Sequence, residues 1–123
     1  MIYTADELCR QYWEAETRCD VEQILEIWDE NAEFHGPDFD LYGREDLRTF
    51  FTNNFEQYPG LDISINRSFG DSSLACIEWE AKQTGKDGKN YRLRGSYHAN
   101  ADGKHITYVN VWFDRYDWIE PDK

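Results

Sequence analysis

A chain of 123 residues with 40% apolar and 16% aromatic content can build one hydrophobic core and is too short for two. Its 25 acidic and 13 basic residues give a formal charge of −12, which repels phosphate backbones and anionic bilayers, so no nucleic acid and no membrane is expected as a partner. Three cysteines, an odd number with no leader-like segment before them, fit a reducing, cytoplasmic compartment, and no run nears the roughly eighteen apolar residues of a membrane span.

Thr4-Ala5-Asp6-Glu7 is a capping box and predicts the start of a helix, with an apolar stripe of Leu8, Tyr12, Ala15 and Cys19 widened by Trp13. Asp20 and Gln23 repeat the capping logic and open a second helix, whose apolar face is Val21, Ile24, Leu25 and Trp28. A short extended segment, Ala32 to His35, is broken by Gly36-Pro37, and a loop through Phe39 and Tyr42 reaches Gly43. A third helix follows with Leu47, Phe50, Phe51 and Phe55 on one face, and Tyr58-Pro59-Gly60 ends it.

The period then changes from helical to two. Leu61 to Asn66, Leu74 to Gln83, Tyr91 to Ala99 and His105 to Tyr116 read as four antiparallel strands, with turns at Gly70-Asp71, Asp87-Gly88 and Asp102-Gly103. The densest basic stretch, Lys82 to Arg94, falls on a hairpin tip and its solvated flanks. The expected layout is ααβαββββ, an α+β domain spanning residues 1–119 with a short tail at 120–123. Its helices pack against a curved sheet and leave a cavity between them.

The last strand carries the functional question. Tyr108, Asn110, Trp112 and Asp114 share one face, and Thr107, Val109, Val111 and Phe113 share the other. Asp114 beside large aromatics is either an end-of-strand partner of Arg115, Arg92 or Arg94, or a pocket carboxylate whose desolvation makes it a general base. An amide at Asn110, in mid-strand between valines, needs a partner such as Tyr108, Asp114 or a ligand. Trp13, Trp28, Trp79, Phe50 and Phe51 sit at core spacing. His35 with Asp38 and Asp40 fits no closed metal site, and a solvated loop is the expected reading, with no metal. Phosphate loops, dinucleotide fingerprints and nucleophile elbows are missing from the sequence, so no cofactor is expected.

The order and spacing of Trp28-Asp29-Glu30-Asn31-Ala32-Glu33-Phe34, Tyr42-Gly43-Arg44-Glu45-Asp46-Leu47 and Asp102-Gly103-Lys104 before Trp112-Phe113-Asp114 resemble the nuclear-transport-factor-2-like superfamily, in its SnoaL-like and ketosteroid-isomerase-like members. The resemblance implies a cone-shaped α+β barrel with a pocket for a small apolar molecule. It also implies a homodimer packed sheet to sheet, for which Val109, Val111 and Phe113 are suited. Tyr12 falls where the isomerases place a phenol that hydrogen-bonds the developing oxyanion. The positions of their two acids read Gly36 and Gly95, so steroid isomerisation by that route is not expected, and the Arg-x-Asp motif of limonene-epoxide-hydrolase-like members has no counterpart.

The expected function is therefore that of a SnoaL-like pocket protein acting on an apolar cyclic or polyketide-like molecule. As an enzyme it would be a cofactor-free isomerase, cyclase or lyase, with Asp114 as base, Tyr12 as oxyanion donor and His98 as a reserve acid. Asn110, Tyr108, Trp112, Trp28, Phe51 and Tyr97 would bind substrate. The expected hairpin pairing puts His98 on the face opposite Asp114. The alternative is a ligand-binding or dimerisation module without catalysis.

Overall fold

A computed structural model describes residues 2–115; the expected tail and the strand end at Tyr116 lie outside them. The elements, in order, are α1 (Ala5–Thr17), α2 (Val21–Ile27), β1 (Trp28–Gly36), β2 (Phe39–Tyr42), α3 (Gly43–Gln57), β3 (Gly60–Gly70), β4 (Leu74–Thr84), β5 (Asn90–Ala101) and β6 (Ile106–Arg115). No helix among the described residues is long and apolar enough to cross a membrane.

Local chemistry sets the helix starts. The Glu7 amide donates to Thr4 Oγ1 at 3.1 Å and the Thr4 amide to Glu7 Oε1 at 2.9 Å, which closes the capping box. Asp20 accepts the Gln23 amide at 3.1 Å and starts α2. Between these helices Cys19 takes a left-handed φ of 56°, so it belongs to the reversal and not to the stripe of α1. Two local expectations are corrected. Trp28 leaves α2 and opens β1, because its backbone turns extended at the helix C-cap. The loop through Phe39 and Tyr42 contains a strand, β2, paired antiparallel with β1 from Glu33↔Tyr42 to Gly36↔Phe39. Gly36-Pro37 therefore makes a hairpin turn where a chain break was expected.

The six strands form one sheet in the order β2-β1-β6-β5-β4-β3, with β1 and β6 parallel and every other pair antiparallel. Asp71, Asp87 and Asp102 clamp the three turns by accepting amides of residues two or three further on, Ser73 and Leu74, Lys89, and Lys104 and His105. The sheet curls around the helices and does not close. Its inner face presents Ile77, Ala99, Val109 and Val111, all buried, to a helical layer carrying Leu8, Tyr12, Leu47 and Phe51. The fold is an α+β cone, as the sequence indicates.

Candidate functional site

α1 turns two polar side chains toward the core. Tyr12 is 1% exposed, and Glu16, one helical turn on, is 8% exposed and is the one buried polar or charged side chain among the described residues. Both line a cavity of about 320 Å³ between the helices and the inner face of the sheet. Much of its wall is aromatic, from Phe34, Phe39, Trp79 and Tyr97 on the sheet to Phe50 on α3. Leu61, Ile63, Leu93, Val111 and Phe113 add aliphatic and aromatic surface, and Asp38, Asn54, Tyr58, Gln83 and Arg115 supply the remaining polar groups.

The Tyr12 and Tyr97 hydroxyls approach to 3.4 Å. Trp28 and Phe51 do not line the cavity; they brace Tyr12, with ring centroids 5.3 and 5.7 Å from it and edge-to-face geometry. The Tyr97 ring is held edge to face by Trp13 at 4.9 Å, and Trp79 lies tilted against it at 5.8 Å. The buried indole N–H groups of Trp13 and Trp79 have no acceptor, so Trp79 offers the cavity its ring and not its donor.

Burial dominates the electrostatics. It pushes the Glu16 carboxyl up to about 8, the Tyr12 hydroxyl offsetting part of the effect, and no cation among the described residues enters the balance. The phenols of Tyr12 and Tyr97 are raised above the ordinary tyrosine value, first by burial and then by the charge of Glu16. At neutral pH the cavity lining therefore includes a carboxylic acid beside the Tyr12 phenol, a group placed to give or take a proton.

The expected site is divided by the sheet. Tyr12 and Tyr97 come together at the cavity, but Asp114, 63% exposed at its side chain, lies on the outer face with Arg94 at 3.6 Å. Trp112 is 56% exposed on the same face. Tyr108 and Asn110 share it, Tyr108 against the His35 ring at 5.3 Å. His98 pairs across the strands with Asn110, so it stands on the same face as Asp114 and not on the opposite one. Val109 and Val111, expected at a dimer face, are 0% and 1% exposed and belong to the core, while Phe113 lines the cavity. The two faces of β6 are thus the reverse of the expectation: helices cover the side with compact β-branched residues and leave the aromatic and polar side outward.

The glycines at the two isomerase acid positions are closed by their neighbours. A Cβ on Gly36 would lie 2.3 Å from the Phe39 ring, and one on Gly95 would lie 2.1 Å from the Trp112 carbonyl oxygen. Glu16, the buried acid of the cavity, was legible only as a residue four places after Tyr12 on a buried stripe. His35 sits between Asp40 at 2.6 Å and Glu33 at 3.0 Å on the outer face. Asp29, Asp102 and His105 bring three ligand atoms within 4.8 Å of one another at the β5–β6 turn, away from the cavity wall.

Solved structures share this architecture at low sequence identity. A Δ5-3-ketosteroid isomerase from Mycobacterium sp. superposes with a TM-score of 0.81 at 15% identity, over 93% of this chain and 99% of that one. A Shewanella denitrificans protein assigned as a SnoaL-like polyketide cyclase gives 0.80 at 17%, over 94% and 93%. An LEH-like epoxide hydrolase of M. tuberculosis gives 0.78 at 14%, over 89% and 82%. No curated protein matches the chain in sequence. The SnoaL-like domain model matches residues 9–112, nearly the whole of the described fold, and the chain belongs to the SnoaL-like domain family.

Proposed function

We propose that the protein binds a small, largely apolar molecule in the cone and moves a proton on it without a cofactor, as an isomerase, cyclase or lyase would. Glu16 carries this reading. A buried carboxyl held near neutrality in an aromatic-lined cavity matches the demand on a general acid or base working at pH 7. Tyr12 and Tyr97 hydrogen-bond and orient the substrate beside it, which keeps the role expected for Tyr12 and gives Glu16 the role expected for Asp114. The likeness to an isomerase, an epoxide hydrolase and a cyclase supports the reaction class through shared architecture.

The test is solvent-deuterium exchange, followed by NMR, on a panel of cyclic ketones, enones and imines. Glu16→Gln should slow exchange by about 100-fold or more with the fold intact, while Asp114→Asn leaves it unchanged. Full activity in Glu16→Gln would remove Glu16 from the chemistry. The closed glycines at 36 and 95 favour a second reading, a binding module without catalysis, which predicts ligand-dependent shifts of the Tyr97 ring signals and no exchange.

A homodimer belongs to the same proposal, through the outer face of the sheet around Trp112, which is the one large aromatic exposed on the central strand. Sedimentation should then give a dimer for the native chain and a monomer for Trp112→Glu, since the substitution removes the exposed aromatic of this face and adds a carboxylate where Asp114 already stands.

A further inference from the structure

Glu16 presents an unsolved problem of charge. It is a carboxyl more than nine-tenths buried, and no basic side chain among the described residues acts on it. Burying an acid without a counter-ion is tolerated when the acid stays protonated or when a bound molecule brings the opposite charge. The surroundings favour a cation over an anion. The rings of Tyr12, Tyr97 and Trp79 border the same space, and Asp38 adds a second acid to the lining, against the single base Arg115, whose guanidinium stacks on the Tyr91 ring at 4.4 Å. Aromatic faces attract ammonium groups, most strongly where water is excluded. The formal charge of −12 draws cations toward the whole molecule.

We propose that the molecule taken by the cavity is an apolar amine, seated with its ammonium group against Glu16 and its carbon frame against Tyr12, Tyr97 and Trp79. This rests on the reading of the cavity as the ligand site and names the substrate class for it. The proton balance is explicit. An alkylamine is protonated in water at pH 7, as lysine is. When it seats, the Glu16 O–H bond breaks, that proton leaves to solvent, and the N–H bonds of the ammonium are kept. The titratable groups that feel Glu16 are Tyr12 on α1, Cys19 in the α1–α2 reversal and Tyr97 on β5. All three are raised above their ordinary values, so Glu16 is the group of this cluster that changes charge near neutrality.

The test is isothermal titration calorimetry with N,N-dimethylcyclohexylamine and with cyclohexyl methyl ketone, a neutral molecule of similar size, at pH 7 in two buffers of different ionisation enthalpy. The amine should bind about tenfold tighter or more and release close to one proton, and the ketone should release none. Glu16→Gln should lose both the preference and the proton release while still binding the ketone. A ketone bound as tightly as the amine, or an amine bound without proton release, overturns the amine assignment and leaves the cavity reading standing. Binding of neither molecule overturns both. Should Glu16→Gln fail to fold, the proton count on the native protein decides the matter by itself.

Discussion

Glu16 couples the cavity to the stability of the molecule. Its carboxyl titrates at about 8 in the folded protein against an ordinary value of 4.5, so the folded state binds the extra proton between these limits. An acid with a raised folded value contributes stability that is fully present below the unfolded value and is lost as pH rises through the folded one. Thermal unfolding should therefore show a midpoint that falls from about pH 5 to pH 8 and then levels. Glu16→Gln removes this titration, so its midpoint should fall less over that window than the native protein's, and its stability at pH 9 should exceed the native protein's by about 1–3 kcal/mol. A native midpoint flat across pH 5–9 would show that the carboxyl is hydrated. Tyr12 acts differently, because its ring is clamped by Trp28 and Phe51 while only its hydroxyl faces the polar cluster.

At the scale of elements, α1 carries both the core stripe and the cavity acid, and its first turn anchors the helix without touching the site. Thr4→Ala breaks the capping box and should cost about 1 kcal/mol by urea denaturation, with Glu16 still titrating as before. The cap, the three helices and the turn aspartates were legible because local chemistry specifies each of them. β6 was legible as a strand but its orientation was not. Alternation along Val109, Asn110, Val111 and Trp112 defines two faces and does not say which meets the helices. Trp112 and Asp114 looked like pocket groups because aromatic residues and an acid together suggest a site, yet the helices pack on Val109 and Val111. β2 was hidden because a strand of four residues, Phe39–Tyr42, gives too little alternation to separate it from a loop. Glu16 was passed over because an acid on an apolar stripe looks like its edge, and only the depth of packing against Tyr97 and Trp79 distinguishes the two.

For the whole molecule, the titratable groups shift in opposite directions according to where they sit. Acids at the turns, Asp71, Asp87 and Asp102, are held below their ordinary values by backbone amides, while Glu16 and His35 are raised, one by burial and the other by its paired carboxylates. The turn acids lose their contribution only as pH falls below the ordinary aspartate value of 3.8, whereas Glu16 and His35 lose theirs as pH rises. The sheet order adds a constraint of another kind. The last strand in the chain lies between β1 and β5, and it alone joins the β1–β2 hairpin to the β3–β4–β5 meander. A nascent chain that has reached Ala101 holds two unconnected fragments of sheet, each with an open edge. The parallel pairing Trp28↔Ile106 joins residues far apart in sequence and cannot form until β6 has been made. The cavity is thus assembled only when β6 arrives, and a domain cut before β6 loses its keystone.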